Sequence, residues 1–453
     1  MTQKPILFDV TQLLARSGSS HMTGIDRVER AWLNYVIDSG RPVFYFLERR
    51  HMAFVFGPGA GATLHNWVHE RHLAKLPPMA RRAMGWQTYA TESDGMVPST
   101  TIGARIIRRI YSPRRALRAC LAENAVGHPA SLDFPDKVTA KLASIFPGGA
   151  WYVNVGQRTP FRGILQSLES AGIQSLLMIH DTIPLEWPQH CVEDAPLTME
   201  NYVRNMARYA DIALCNSQAT ADDYLFHARR LVGQEPKGET VVAHLGLHAP
   251  KLRRQGGAAP LPASIDPKRP FFTILGTIEP RKNHAFLLDV WHRIARQVPA
   301  ERMPQLVIAG AWGWRIKDFK QKLDASPLTG KSIIVLERPD DATMGTVLAK
   351  TQALLMPSVA EGYGLPVLEA AREGIEVIAP ALPVYREIAG DYPRSADIED
   401  PAAWMELILS FDGEPKRKPA PPIPTWADHF AKATEAMDRL AKPHPQRDAV
   451  ADG

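Results

Sequence analysis

The chain has 453 residues, of which 45% are hydrophobic and 22% charged, a globular composition that excludes disordered, collagen-like and coiled-coil chains. Its 53 basic and 48 acidic residues give a net charge of +5, too small over this length to predict general coating of nucleic acid. Three cysteines are too few for a disulfide framework or a zinc site and favour a reducing, cytoplasmic compartment. No run of about 18 apolar residues predicts a membrane span.

The N-terminal half opens with the alternation of strands and helices that is typical of a doubly wound parallel sheet. A strand at residues 5–10, rather than a signal peptide, precedes a polar loop at 17–24, a helix at 26–36 and a strand at 42–47. Residues 57–130 are irregular in pattern. The alternation then resumes, with predicted strands at residues 150–155, 175–179, 212–215 and 241–243.

A basic segment lies inside the irregular stretch. Residues 101–120 contain no acid and six arginines, which are Arg105, Arg108, Arg109, Arg114, Arg115 and Arg118. Two short helices over this segment place apolar residues on one side and arginines on the other, a pattern that predicts binding to an anionic membrane surface. The alternative is that the apolar side packs on the first domain and the arginines are solvated.

The second half begins after residues 253–268, whose Gly-, Ala- and Pro-rich composition predicts an interdomain linker. A helix is predicted from His284, and strands are predicted at residues 271–275, 306–309, 333–336, 353–356 and 377–379. A last helix is predicted at residues 426–440. The predicted organisation is an N-terminal domain, a C-terminal domain, a C-terminal helix and a tail, at residues 1–255, 268–425, 426–442 and 443–453.

The strongest motif is an acidic, glycine-rich run after a predicted strand. Glu361 and Glu369 are separated by seven residues that include Gly362, Gly364 and Pro366. The glycines let backbone N–H groups approach a ligand, Pro366 suits the first turn of a helix, and a helix N-terminus attracts phosphate. The carboxylates can accept hydrogen bonds from sugar hydroxyls. The alternative is that Glu369 only complements the helix dipole and the glycines only form a turn.

A second motif, from Gly276 to Asn283, follows the first strand of the C-terminal half and contains Arg281 and Lys282. Open α/β sheets bind ligands at the carboxyl ends of their strands, and a forked guanidinium beside a compact ammonium suits a diphosphate. A solvated basic pair is the alternative, and the sheet edge shared with Glu361 argues against it.

A third signal is His180, which with Asp181 ends a predicted strand of the N-terminal half. A histidine at that sheet edge faces the cleft between the halves and can donate hydrogen bonds to a sugar or a phosphate. A purely structural histidine is the alternative.

Together these motifs resemble those of glycosyltransferase family 4, which are retaining enzymes of the GT-B fold. The resemblance extends through the second half, in ILGTIEPRKN, LVIAGAWGW, LLMPSVAEGYGLPVLEA and EIAGD, and is looser in TGIDRVER, IHDTIPLEWP, CNSQAT and VVAHLGL of the first. Within the family, GTIEPRKN and AGAWGW look most like bacterial mannosyltransferases of surface polysaccharide synthesis. The sequence departs from the family at Glu376, where a proline is usual, and in the basic segment.

The resemblance implies roles for individual residues. Arg281 and Lys282 match the pair that holds the donor diphosphate, Glu361 the contact to the donor sugar, and Glu369 the contact to the ribose. His180 matches a histidine near the transferred sugar and completes the implied catalytic set with Arg281, Lys282 and Glu361. The implied donor-binding set further contains residues of the glycine-rich loops, namely Gly24, Gly276, Gly362, Tyr363, Gly364 and Leu365.

The resemblance thus implies two Rossmann-like domains facing across a cleft, an N-terminal one that binds the acceptor and a C-terminal one that binds the nucleotide-sugar donor. It also implies that the C-terminal helix returns to the N-terminal domain. The implied reaction is transfer of mannose from GDP-mannose to a saccharide or polyprenyl-diphosphate-linked acceptor in polysaccharide biosynthesis. A sugar-nucleotide epimerase and a non-catalytic binding subunit of an assembly complex are the alternatives. Because no Asp-x-Asp, histidine cluster, dinucleotide fingerprint or P-loop occurs, neither a metal nor a cofactor is expected. The expected location is the cytoplasm, including the inner face of the cytoplasmic membrane.

Overall fold

A computed structural model of the chain describes residues 3–16, 23–49, 52–69, 123–160, 162–247 and 259–441. The basic segment with its six arginines lies outside these ranges, as do the predicted tail and residues 253–258 of the predicted linker. Within the described ranges no helix is long and apolar enough to cross a membrane.

The N-terminal half forms an eight-stranded sheet in the order β4-β3-β2-β1-β5-β6-β7-β8. The six strands other than β3 and β4 run parallel, and their apolar runs, such as Ile6–Asp9, are buried because helices cover both faces of the sheet. The strands are β1 Ile6–Asp9, β2 Val43–Arg49, β3 Met52–Phe56, β4 Ala130–Ser131, β5 Trp151–Asn154, β6 Gln174–Ile179, β7 Ile212–Cys215 and β8 Glu239–Val242.

Helices connect these strands. The described helices of this half are α1 Thr11–Arg16, α2 Gly24–Asp38, α3 Ala60–His69, α4 Pro135–Ile145, α5 Arg162–Ser170, α6 Ile183–Glu186, α7 Ala195–Tyr209 and α8 Gln218–Val232. Helix α2 begins where it does because Thr23 and Asp26 form a capping box, in which each backbone N–H donates to the other side chain at 2.7 and 3.3 Å. Its start, two residues before the predicted one, places Gly24 in the first turn.

The outer strands β3 and β4 of the first sheet differ from the predicted parallel arrangement. Strand β3 pairs antiparallel with β2, and β4 pairs antiparallel with β3, so the sheet is mixed rather than wholly parallel. Helix α3, at Ala60–His69, likewise lies in a stretch whose pattern is irregular. The strands β3 and β4 have five and two residues and α3 has ten, so each contains too few periods of the hydrophobic pattern on which prediction depends.

The C-terminal half forms a six-stranded, wholly parallel sheet in the order β11-β10-β9-β12-β13-β14. The strands are β9 Phe271–Leu275, β10 Gln305–Gly310, β11 Ile333–Glu337, β12 Ala353–Leu355, β13 Glu376–Ala379 and β14 Arg394–Ser395. The helices are α9 His284–Gln297, α10 Lys317–Ala325, α11 Asp341–Lys350, α12 Leu365–Arg372, α13 Pro383–Ala389 and α14 Pro401–Leu409. The reversal of strand order between β9 and β12 is the switch point at which such sheets bind ligands.

The last helix, α15 at Trp426–Leu440, returns to the N-terminal domain as predicted. The Trp32 indole donates a hydrogen bond to His429 Nε2 at 3.0 Å, and the Arg41 guanidinium pairs with the Asp438 carboxylate at 2.6 Å. Phe430 packs edge-on against Trp32, with ring centroids 5.3 Å apart. Helix α15 therefore ties the end of the chain to helix α2.

Candidate active site

The carboxyl ends of the two sheets meet, so that the loop after β12 lies against the loop after β6. A Cβ on Gly362 would lie 2.7 Å from the His180 carbonyl oxygen, so the approach requires glycine. The Thr220 hydroxyl donates to the Gly362 carbonyl at 3.3 Å, and the Tyr363 hydroxyl donates to the Leu245 carbonyl at 3.0 Å. Motif residues of the two halves therefore lie side by side.

Glu361 lies at the centre of a buried ionic cluster. Its carboxylate accepts hydrogen bonds from Arg281 Nη1 at 2.7 Å, from Lys282 Nζ at 2.5 Å and from the Ser358 hydroxyl at 2.7 Å. Arg281 Nη2 also donates to Glu279 at 2.5 Å. The structure thus brings together the basic pair and the first glutamate of the acidic motif, although 79 positions separate Lys282 from Glu361.

The charges in this cluster determine its protonation. Burial by itself raises the pKa of Glu361, but Arg281 and Lys282 outweigh it and lower the pKa to about 2. Burial lowers the pKa of Lys282, against the opposing attraction of Glu361. Glu361 is therefore a carboxylate at neutral pH, and it is the group on which both cations converge.

The local sequence explains how β9 delivers the two cations. After β9, Gly276 has φ +136°, a backbone conformation that glycine adopts without strain. Residues Pro280–Lys282 form a single 3-10 turn, and Asn283 follows with φ +58°, a left-handed conformation that asparagine tolerates. This turn points Lys282 back towards Gly276, where a Cβ would lie 3.6 Å from Lys282 Cε.

Two helix N-termini converge beside the cluster. Gly364 caps α12 with φ +95°, and a Cβ there would lie 2.7 Å from the Tyr385 ring. Gly24 opens α2, and a Cβ on it would lie 3.6 Å from Leu365 Cδ1. Because each helix N-terminus carries a partial positive charge, their approach favours an anion between the domains.

Glu369 lies one turn into α12 and pairs with Arg27 of α2 at 2.7 Å. The two side chains are about one fifth exposed, at 22% and 21%, unlike the buried cluster around Glu361. This ion pair joins the two domains. Arg27 was not among the predicted site residues, although its position three residues after Gly24 on a helix places both in the first turns of α2.

His180 is buried, and its ring is held by the first domain. Its Nε2 lies 2.8 Å from the Val155 carbonyl oxygen, so Nε2 carries the proton and donates it. Burial lowers the pKa of His180 to about 4, which makes the ring neutral at pH 7. Nδ1 is then an acceptor, the opposite of the hydrogen-bond donor expected from the sequence. Asp181 beside it is half-buried, and loss of solvent around the carboxyl raises its pKa against the attraction of Arg281.

At the carboxyl ends of its central strands, the first sheet also gathers polar groups that the sequence did not single out. The Asp9 carboxylate, at the end of β1, accepts hydrogen bonds from the Tyr152 hydroxyl at 2.5 Å and the Asn154 amide at 3.2 Å. Arg158 pairs with Glu48 through two contacts of 3.0 Å. The sequence did carry a signal for some of them, because Asp9 and Asn154 are the last residues of buried strands and Arg158 follows β5.

Glu376, where the family usually has proline, has a structural role in this fold. Its buried carboxylate pairs with Arg394 at 3.3 Å and with Lys418 at 3.5 Å. These contacts lie on β13 and its neighbours, away from the ionic cluster. In the part of the chain that the structure describes, no three His, Cys, Asp or Glu side chains are grouped as a metal site.

Comparison with known proteins agrees with this architecture. Residues 262–416 match the family model described as glycosyl transferases group 1. A serotype-specific mannosyltransferase of Escherichia coli, WbdA, is 29% identical over 235 residues, which cover 50% of this chain and 28% of that protein. The O-antigen chain mannosyltransferase B of Escherichia coli is 31% identical over 135 residues, covering 30% of this chain and 35% of that protein. The chain thus aligns with about a third or less of these relatives.

Solved structures extend the similarity to the whole fold. The α,α-trehalose 6-phosphate synthase from Burkholderia multivorans aligns with 97% of this chain and 93% of its own, with a TM-score of 0.52 at 11% identity. A UDP-forming α,α-trehalose-phosphate synthase from Burkholderia vietnamiensis gives the same TM-score and identity over 97% and 95% of the two chains. A segment similar to glycosyl transferases group 1, residues 262–416, therefore lies within a two-domain chain of the GT-B fold.

Proposed function

We propose that this chain is a retaining glycosyltransferase that moves mannose from GDP-mannose to a saccharide acceptor in polysaccharide biosynthesis. The observation that carries the proposal is the convergence of Arg281 and Lys282 on Glu361 at the switch point of the second sheet. The similarity to mannosyltransferases of Escherichia coli supports the choice of sugar.

The chemistry follows from the charges at this edge. The bond between the anomeric carbon and the diphosphate oxygen breaks, and negative charge develops on the leaving diphosphate. Arg281, Lys282 and the N-termini of α2 and α12 are fixed beside that position and stabilise the charge without reorganisation. Glu361 exchanges its contacts with the cations for the hydroxyls of the transferred sugar.

The acceptor hydroxyl attacks from the face that the diphosphate leaves, and its proton passes to the leaving phosphate oxygen. This front-face course retains the configuration of the anomeric carbon. We favour it because Glu361, the carboxylate nearest the cations, is assigned to the sugar hydroxyls and no other side chain of these motifs is an obvious nucleophile. The neutral His180 accepts a hydrogen bond through Nδ1 rather than supplying charge.

The acceptor and the location are the finer parts of the proposal. The acceptor is a polyprenyl-diphosphate-linked saccharide at the inner face of the cytoplasmic membrane, reached through the basic segment of residues 101–120. Vesicle flotation tests this part. Binding to anionic vesicles that falls with salt is expected, and replacing Arg108, Arg109, Arg114 and Arg115 by Gln should abolish it. Equal binding of the wild type and this variant would contradict membrane attachment.

A thermal-shift panel followed by a transfer assay tests the activity itself. GDP and GDP-mannose should raise the midpoint of unfolding more than UDP, ADP and their sugars do, because a ligand that binds only the folded state stabilises it. Incubation with GDP-mannose and a mannose oligosaccharide should then release GDP and give an α-linked product by NMR. Turnover of the free sugar nucleotide without transfer would favour an epimerase, and stabilisation without any turnover would favour a binding subunit.

A further inference from the structure

An exposed aromatic surface lies at the mouth of the cleft and has no role in the donor chemistry. Trp187, in the loop after α6, is 36% exposed, and Trp314, in the loop after β10, is 39% exposed. The two tryptophans come from different domains and flank the same residue, His190. The Trp187 ring centroid lies 6.0 Å from that of His190, and the Trp314 indole donates to the His190 carbonyl at 3.0 Å.

This surface is a built feature of the domain interface. Arg315 donates from Nη1 to the carbonyls of Gln189 and Cys191 at 3.1 and 3.0 Å. It has φ +51°, a left-handed conformation that costs free energy for a residue with a Cβ. The three hydrogen bonds from Trp314 and Arg315 to one loop of the first domain hold the two rings in place across the cleft.

The aromatic surface adjoins the ionic cluster. The loop before Trp314 runs beside the loop that carries Arg281, with Gly313 N–H donating to the Ile278 carbonyl at 2.9 Å. Burial lowers the pKa of His190, and the charge of Arg281 lowers it further. A molecule lying on the two rings would therefore extend directly to the place where we propose that the anomeric carbon reacts.

The groups that we assign to the nucleotide lie on the other face of the second sheet. Glu369 and the N-terminus of α12 belong to the layer that packs against α2 of the first domain. Trp312 packs with α9, α10 and α14 on the opposite layer, and Trp314 follows it. A nucleotide held between Arg281 and Glu369 consequently extends away from Trp314, so the tryptophans are left for the second substrate.

We propose that Trp187 and Trp314 form a binding platform for the acceptor, in which the apolar faces of successive sugar rings of an oligosaccharide stack on the two indoles. Aromatic side chains with a polar edge suit a ligand with apolar ring faces and hydroxyl rims. The imidazole of His190, between the two indoles, offers a partner for those hydroxyls. The identity of the ligand as an acceptor rests on the proposed function.

Calorimetric titration with mannose oligosaccharides of two to five units, with GDP present, tests the platform directly. Trp187→Ala and Trp314→Ala should each weaken saccharide binding by about tenfold, in line with the loss of one stacked ring. Trp314→Phe keeps a ring but loses the hydrogen bond to His190, and it should retain most of the affinity. Phe134→Ala removes a ring that is 54% exposed at the start of α4 and should change nothing.

A second titration, with GDP alone, separates the acceptor from the nucleobase as the occupant. GDP should bind all four variants as it binds the wild type, and an equal loss of GDP affinity in Trp314→Ala would overturn the platform in favour of base stacking. Undiminished saccharide binding by both alanine variants, or no saccharide binding by the wild type, would also overturn it.

Release of GDP from GDP-mannose by the wild type reports on the proposed function separately. Saccharide binding that depends on the tryptophans, without turnover of any sugar nucleotide, would support the platform and contradict the transferase. Turnover with a Michaelis constant for the saccharide that is unchanged in Trp187→Ala and Trp314→Ala would support the transferase and contradict the platform.

Discussion

The two sheet edges that face each other across the cleft differ in charge. The second edge gathers the two cations Arg281 and Lys282 around the ionised Glu361. The first edge gathers hydrogen-bonding groups: Asp9 accepts hydrogen bonds from Tyr152 and Asn154, and burial keeps His180 neutral. Two cations suit an anionic leaving group, although Glu279 and Glu361 balance their charge in this structure, and hydrogen-bonding side chains suit hydroxyls. This asymmetry is why we propose that the diphosphate binds at the second edge and uncharged substrate groups at the first.

The difference also shows how burial acts on charged groups. Burial raises the pKa of carboxyl groups at both edges, and at Glu361 the neighbouring cations reverse this effect. Asp9 and Glu29 of the first edge have pKa values raised by burial, that of Glu29 to about 8. The predictions that follow alter one edge at a time.

Removing a cation from the second edge should have the largest effect. Arg281→Ala and Lys282→Ala should each lower the rate of transfer on the order of 10²-fold, because each removes a preorganised charge from the leaving group. Steady-state release of GDP checks this. Lys320→Ala is a control, since Lys320 is half exposed, pairs with a neighbouring Asp324 on its helix and lies over the Trp312 ring, without contact to the ionic cluster around Glu361. Near-normal turnover by both cation variants would contradict the diphosphate assignment.

Replacing each glutamate of the acidic motif by glutamine should impair a different step, GDP binding for Glu369 and sugar transfer for Glu361. Glu369→Gln should weaken GDP binding by about tenfold, because one hydrogen bond to a charged group contributes about 1.5 kcal/mol or more. Glu361→Gln should bind GDP at least as tightly as the wild type, because Arg281 and Lys282 lose their internal partner, yet it should transfer sugar more slowly. Calorimetry and turnover measure the two effects. Equal GDP affinity in the wild type and Glu369→Gln would contradict the ribose assignment.

At the first edge, the raised pKa of Glu29 should make the free energy of unfolding depend on pH. Burial, helped by Asp26 and Asp9, raises the pKa of Glu29 to about 8 from an ordinary value near 4.5. Between these values the folded state holds a proton that the unfolded state has lost, so the free energy of unfolding falls as pH rises, by up to about 1.4 kcal/mol per unit. Glu29→Gln should remove this decline. Urea unfolding of the wild type and of Glu29→Gln at pH 5, 6.5 and 8 measures the decline. If the free energies of unfolding of the two proteins changed equally with pH, the raised pKa of Glu29 would be contradicted.

The smallest expected effect is that of a chelator. Arg281, Lys282 and the helix N-termini supply the positive charge that a divalent cation supplies in other transferases, so EDTA should leave the rate unchanged. The rates of the wild type and of Lys282→Ala are each measured with and without EDTA at the same ionic strength. Loss of activity with EDTA and its recovery with Mg²⁺ or Mn²⁺ would overturn this expectation.

Much of the fold could be predicted from sequence periodicity. The strand Ile212–Cys215, the helix Trp426–Leu440 and the strand Phe271–Leu275 have the predicted bounds, because long apolar runs between turn residues are strong local signals. The antiparallel β3 and the helix Ala60–His69 were missed, since short edge elements lack such runs. The predicted roles of the site residues remain to be tested by the variants above.

The sequence by itself determined the two α/β halves and the residues that flank the switch point, because hydrophobic period, glycine and proline act over a few positions. Only the tertiary structure decided the pairing: Glu361 with Lys282, Glu369 with Arg27 342 positions away, and His180 with the Val155 carbonyl. These contacts depend on how two sheets pack and on how burial weighs against charge. Neither quantity is encoded in the spacing of residues along the chain.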